Sequence, residues 1–257
     1  MQLDISGIQY DISWENKEEN ITKIEKLLGD IPSSTDIILL PEMFTSGFSM
    51  SVDALAEKMN GNTVNWMKST AKSLNKIVAG SIIIDDNNQY RNRFLWVEPD
   101  GNIQFYDKRH SFGLGDEDQY FTSGNIQKII EYKDWKIFPL ICYDLRFPEW
   151  IKNNMGYDLI INVANWPSVR AEHWKLFLKS RAVENQAYVF GLNRIGTDVK
   201  NRHYSGDSAI VNFNGELMSM AGEVETILTA KFSKSKLEKY RKSYPFLKDQ
   251  DKFQLDL

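Results

Sequence analysis

The sequence predicts an α/β fold, an α-β-β-α sandwich of two mixed β-sheets flanked by helices and able to pair into four layers. Three observations predict it. Runs of β-branched and leucine residues, such as IILLPE (37–42), IVAGSIII (77–84) and DLIINVAN (158–165), have the composition of strands buried on both faces. Segments of helical spacing separate them, and hairpins with turn-forming residues are interspersed. No Pro-, Ser- or Gly-rich linker, internal repeat or low-complexity stretch divides the 257 residues, so residues 1–257 read as one domain with a C-terminal tail from about 244 to 257.

In chain order, residues 3–10 (LDISGIQY) alternate apolar and polar and form a strand. Residues 15–28 carry Ile21, Ile24, Leu27 and Leu28 on one helical face, with acids early and lysines late, as the helix dipole favours. The strand at 37–42 ends at Pro41. A helix at 64–74 precedes the strand at 77–84, and DDNNQ (85–89) turns into a strand at 92–98. The PDG turn at 99–101 leads to a strand at 103–108. Residues 109–126 hold three glycines and no period, a long loop of the kind that carries function. KIIEY and WKIFPLICY frame a hairpin, and a short helix starts near Pro148. A strand at 158–165 precedes a long helix at 171–187, and 188–196 is again a strand. SGDSAIVNF, an Asn-Gly turn at 214–215 and ELMSMAG form a hairpin, 226–232 is a last strand and 234–243 a last helix.

Composition excludes several functions. A net charge of −4 lacks the basic face of a nucleic-acid binder. No apolar stretch approaches the ~20 residues that span a bilayer, and the acidic N-terminus does not read as a signal peptide. A single cysteine rules out an internal disulfide and fits a reducing cytoplasm.

That cysteine, Cys142, stands where the apolar run FPLI meets the charged turn YDLRFPE. By itself it fits a buried structural thiol as well as a nucleophile at the end of a buried strand, where a following helix N-terminus would favour thiolate. His110, His173 and His203 are all in polar settings, and no local signature makes any of them its base. Two other strand ends carry reactive groups, Glu42 after IILLP and Lys108 after IQFYD. Taken singly, these fit a structural carboxylate and a solvated lysine. Ligands in α/β sheets gather at strand carboxyl ends, so Glu, Lys and Cys could converge there.

LLPEMFTSGF (39–48), YDKRH (106–110) and ICYDLRFPE (141–149) resemble, in order, the three catalytic motifs of the nitrilase, or carbon–nitrogen hydrolase, superfamily. NVANWP (162–167) and SRAVENQAYVFGLNRIG (180–196) resemble further family blocks, and the whole looks most like the bacterial omega-amidase branch. The resemblance implies Glu42 as general base, Lys108 as electrophilic stabiliser, Cys142 as nucleophile and Glu117, in GDEDQYF, as a second glutamate. It implies hydrolysis of a small linear omega-carboxamide of the 2-oxoglutaramate or 2-oxosuccinamate type through a cysteine thioester. It also implies a homodimer or higher homo-oligomer. Other branches remain open: an N-carbamoyl amino acid hydrolase, a deaminated-glutathione amidase or a nitrilase, or a non-catalytic binding protein on this fold. The backbone N–H of Tyr143 would help Lys108 hold the oxyanion. Trp166, Phe48 and Phe112 are candidate pocket walls, and Arg170 or Arg194 would meet the substrate carboxylate. Arg146 should pair with a nearby carboxylate. No metal or cofactor is expected, and the scattered histidines lack metal-ligand spacing.

Overall fold

Parallel strands buried on both faces form the centre of each of two six-stranded sheets, seen in a computed structural model that describes residues 2–255. The first contains β1 (Gln2–Gln9), β2 (Ile37–Leu39), β3 (Ile77–Asp86), β4 (Gln89–Val97) and β5 (Ile103–Asp107). The second contains β6 (Ile130–Tyr132), β7 (Trp135–Ile141), β8 (Leu159–Val163) and β9 (Tyr188–Leu192). After β9 come a two-stranded ribbon, β10 (Ile195–Thr197) with β11 (His203–Ser205), then β12 (Ala209–Val211), β13 (Leu217–Met220) and β14 (Thr226–Ser233). Sheet orders are β14-β1-β2-β3-β4-β5 and β13-β12-β9-β8-β7-β6. In each, three central strands run parallel and the flanking pairs antiparallel, so both sheets are mixed.

The helices are α1 (Lys17–Leu28), α2 (Val52–Leu55), α3 (Asn62–Leu74), the single turns α4 (Glu117–Tyr120) and α5 (Pro148–Ile151), then α6 (Ala171–Asn185) and α7 (Lys234–Ser243); α1 and α3 pack on the first sheet and α6 on the second. Strand alternation divides the core. Ile37, Leu39, Ile77, Ala79, Phe94 and Trp96 face the second sheet, while Ile38, Leu40, Val78, Leu95 and Val97 pack with Ile24 of α1 and Val64 and Met67 of α3. Gly7 lets the sheets meet closely, since a Cβ there would lie 2.8 Å from the Phe190 ring. Among the described residues, no helix is long and apolar enough to cross a membrane.

Several elements differ from the sequence expectation. The strand expected at 37–42 ends at Leu39, because the chain folds over at Pro41 and Met43 adopts φ +43°. The turn expected over 85–89 shrinks to Asn87 and Asn88, whose φ of +56° and +67° suit the tight turn between twisted antiparallel strands. The strand expected at 188–196 breaks into β9 and β10, and α2 was not legible in the sequence. The 109–126 loop contains a 3₁₀ turn (Gly113–Gly115) and α4. The tail forms a 3₁₀ turn at Phe246–Asp249; its last residues, Asp256 and Leu257, lie outside the described ones.

Candidate active site

Cys142 opens a 3₁₀ turn, Cys142–Arg146, directly after β7, with φ +46°. A non-glycine residue in this left-handed region costs about 1–2 kcal/mol, which surrounding contacts must hold in place. The buried Asp144 supplies them: its Oδ2 accepts from Ile141 N–H at 3.1 Å and Tyr106 O–H at 2.8 Å. Its Oδ1 accepts from His110 N–H at 2.9 Å and lies 2.9 Å from His110 Nδ1. The turn behind the thiol is thereby tied to the loop that follows β5.

Glu42, Lys108 and Glu117 meet beside the thiol, all buried. Lys108 Nζ donates to Glu42 Oε1 at 2.8 Å and to Glu117 Oε1 and Oε2 at 3.0 and 2.8 Å. Asn92 Nδ2, from β4, donates to Oε1 of both glutamates at 2.9 and 3.1 Å, while Ser81 Oγ donates to Asn92 Oδ1 at 2.9 Å. Asn165, two residues beyond β8, gives its N–H to Glu42 Oε2 at 2.8 Å and its Nδ2 to the Glu42 carbonyl at 2.6 Å. Phe112 N–H donates to Glu117 Oε2 at 2.7 Å, so the 109–126 loop closes on the cluster.

Electrostatics assign protonation. Burial would discharge Lys108, but the carboxylates of Glu117 and Glu42 outweigh it and raise its pKa, so it stays an ammonium. Burial, opposed by Lys108 and reinforced by Glu42, raises Glu117. Burial and the neighbouring Glu42 carboxylate push the Cys142 thiol well above its usual range despite Lys108. This corrects the expectation of a helix dipole favouring thiolate: α5 is a single turn, and the two carboxylates dominate the field.

Lys108, Cys142 and Asn165 form the floor of a pocket of about 400 Å³ including its open mouth. Phe48, Phe112, Tyr143, Trp166 and Arg170 line it, as do Arg146, Arg202 and Tyr204. Phe112 packs edge-on against Tyr143 with centroids 5.0 Å apart, and Arg170 lies over the Phe112 ring at 5.2 Å. Two expectations are corrected. Arg194 is buried and bound to Asp11 at 2.7 Å, with Cζ over the Tyr204 ring, and does not line the pocket. Arg146 pairs with no carboxylate among the described residues; it lies over the Phe177 ring at 5.0 Å, and its Nη2 is 3.3 Å from His173 Nδ1. His110, His173 and His203 stay outside the pocket lining. Sequence reasoning missed Asn92 and Arg202. A polar residue amid the apolar run of β4 was the available sign of Asn92, and the loop DVKNRHY gave none for Arg202.

A thiol on a strained turn, beside an ammonium held by two buried carboxylates at one end of a two-sheet sandwich, defines a class of cysteine-dependent hydrolases. The chain belongs to the carbon–nitrogen hydrolase family, whose model matches residues 5–242. It is 42% identical over 254 residues, 98% of each chain, to omega-amidase YafV of Escherichia coli K12. It is 34% identical over 254 residues to a 2-oxoglutaramate amidase of Bacillus subtilis, covering 97% of this chain and 98% of the relative. Among solved structures it superposes, with a TM-score of 0.97, 38% identity and full coverage of both chains, on XC1258 of Xanthomonas campestris, a CN-hydrolase superfamily protein with an arsenic adduct in its active site. The protein is thus an enzyme of amide hydrolysis.

Proposed function

We propose that the protein is an omega-amidase, hydrolysing 2-oxoglutaramate or 2-oxosuccinamate to the dicarboxylic 2-oxo acid and ammonia. One observation carries this reading: the pocket that ends on Cys142 and the Lys108 cluster has a wall of arginines, so an amide at its floor leaves a carboxylate facing cations. The similarity to relatives named omega-amidase and 2-oxoglutaramate amidase supports it.

In this mechanism Glu42 removes the Cys142 proton as sulfur attacks the amide carbon. Lys108 and the Tyr143 N–H receive the developing oxyanion. Glu42 then passes the proton to nitrogen, the carbon–nitrogen bond breaks and ammonia leaves a thioester. Water enters, Glu42 takes its proton, and the hydroxide displaces the thiolate, which recovers its proton from Glu42. Glu117 and Asn92 hold Lys108 and Glu42 in register throughout. A resting thiol with a raised pKa suits this scheme, because the base acts only as the bond forms. Residues 1–257 would act as one catalytic domain, in the cytoplasm and as a homodimer, following the family resemblance.

The test is ammonia release from omega-amides, carbamoyl amino acids and nitriles. Omega-amides of 2-oxo acids should be strongly preferred, and Cys142→Ala should abolish release while keeping the unfolding curve of a folded protein. No release from any omega-amide refutes the proposal.

A further inference from the structure

Arg202 ends the five-residue connection between β10 and β11, and Asp198 builds that turn. Asp198 Oδ1 accepts from the N–H groups of Lys200 at 2.9 Å and Arg202 at 3.0 Å, and Asp198 N–H donates to the Arg202 carbonyl at 3.0 Å. Asp198 Oδ2 accepts from Arg202 Nε at 2.7 Å and from Tyr204 O–H at 3.0 Å. Burial alone would raise the Asp198 carboxyl, but these donors and the Arg202 charge hold it below its usual range, so it remains an anion that fixes the guanidinium. Nε is thereby spent, and one edge of the fork is left for another partner.

Arg202 Nη2 is shut off from solvent and has no hydrogen-bond partner among the described residues. Buried donors are rarely left without an acceptor, because the lost hydration is not replaced. Arg202 also lines the pocket, with Cζ 5.9 Å from the centroid of the Phe48 ring, the ring that Lys108 Nζ approaches to 5.3 Å. A short linear molecule lying along Phe48 therefore reaches from Lys108 and Cys142 to Arg202. The charge balance of the pocket agrees: two carboxylates already neutralise Lys108 and Asp198 pairs with Arg202, whereas Arg146 and Arg170 have no ion-pair partner among the described residues, so the wall around Arg202 stays net positive.

We propose that Arg202 is a specificity-determining residue that reads the far carboxylate of the substrate, with Arg170 on the Phe112 side as its second arm. This deepens the omega-amidase reading and rests on it. Nη2 donates to a carboxylate oxygen, forming the charge-assisted contact for which the guanidinium geometry is suited. The Asp198 clamp makes the contact preorganised, so the residue selects anionic over neutral amides and does so in binding.

The experiment compares kcat/KM for 2-oxoglutaramate and for neutral butyramide in wild type, Arg202→Gln and Arg202→Lys. It also measures the inhibition constant of glutarate by protection of Cys142 from iodoacetamide. Glutamine retains a donor for Asp198, which keeps the turn. Loss of one charged hydrogen bond should lower the charged-to-neutral ratio about 10–100-fold in Arg202→Gln, through KM, and weaken glutarate by a similar factor. Arg202→Lys should fall between. An unchanged ratio and unchanged glutarate protection in both variants overturn the assignment, as does an equal loss on both amides. A wild type without preference for the charged amide refutes the omega-amidase reading itself. A wild-type preference that survives both substitutions refutes Arg202 alone.

Discussion

Lys108→Met removes the ammonium at the centre of the cluster and keeps most of its apolar stem. Glu42 and Glu117 are then left buried together, both Oε1 atoms still on Asn92 Nδ2 at 2.9 and 3.1 Å. Two adjacent buried carboxylates do not both ionise, so the folded variant takes up a proton. Its folded carboxyl pKa is raised above the unfolded value of about 4.3, and the sign follows. Below that pH the proton costs nothing and stability is fully present. Above it, stability falls by about 1.4 kcal/mol per pH unit until the folded pKa is passed. From about pH 5 to about pH 8 the deficit against wild type should therefore grow, by at most about 4 kcal/mol, and by less to the extent that burial already raises Glu117 in the wild type. This matches the ~3–5 kcal/mol cost of removing one partner of a buried pair. Urea unfolding of both proteins at several pH values measures it. A deficit that stays constant with pH would refute the reasoning, since the ammonium would then not be what permits two buried carboxylates. Ammonia release should fall by at least ~100-fold at any pH.

Two further outcomes follow from the same site. The raised Cys142 thiol pKa means that iodoacetamide alkylation of the folded protein should reach half its limiting rate at a higher pH than alkylation of the urea-unfolded chain. Mass spectrometry reads the single cysteine directly, and a midpoint at or below that of the unfolded chain would contradict the field described. Asn92→Leu removes the donor shared by both glutamates and should cost about 2–3 kcal/mol in denaturant titration, with ammonia release about tenfold slower. Asn92→Asp should be worse near neutral pH, with the gap closing as pH falls; equal stability of Asn92→Leu and wild type would remove Asn92 from the cluster.

The layers and the reactive groups are legible in the amino-acid order alone. Alternation and buried runs fix which residues face which side, because side-chain direction follows strand geometry locally. The ordered motifs around Glu42, Lys108, Cys142 and Glu117 named the four groups that the fold then brings together. Their protonation and pairing depend on contacts between distant parts of the chain. The Cys142 pKa depends on carboxylates 100 and 25 positions away in the chain, and a local reading of a helix N-terminus gave the wrong sign. Asn92 becomes a shared donor only because β4 places it between Ser81 and the two glutamates. Arg194 and Arg202 look alike as letters. Each pairs with an aspartate and keeps one buried guanidinium nitrogen without a partner among the described residues, yet only Arg202 lines the pocket, a placement set by the long-range fold that no local pattern encodes.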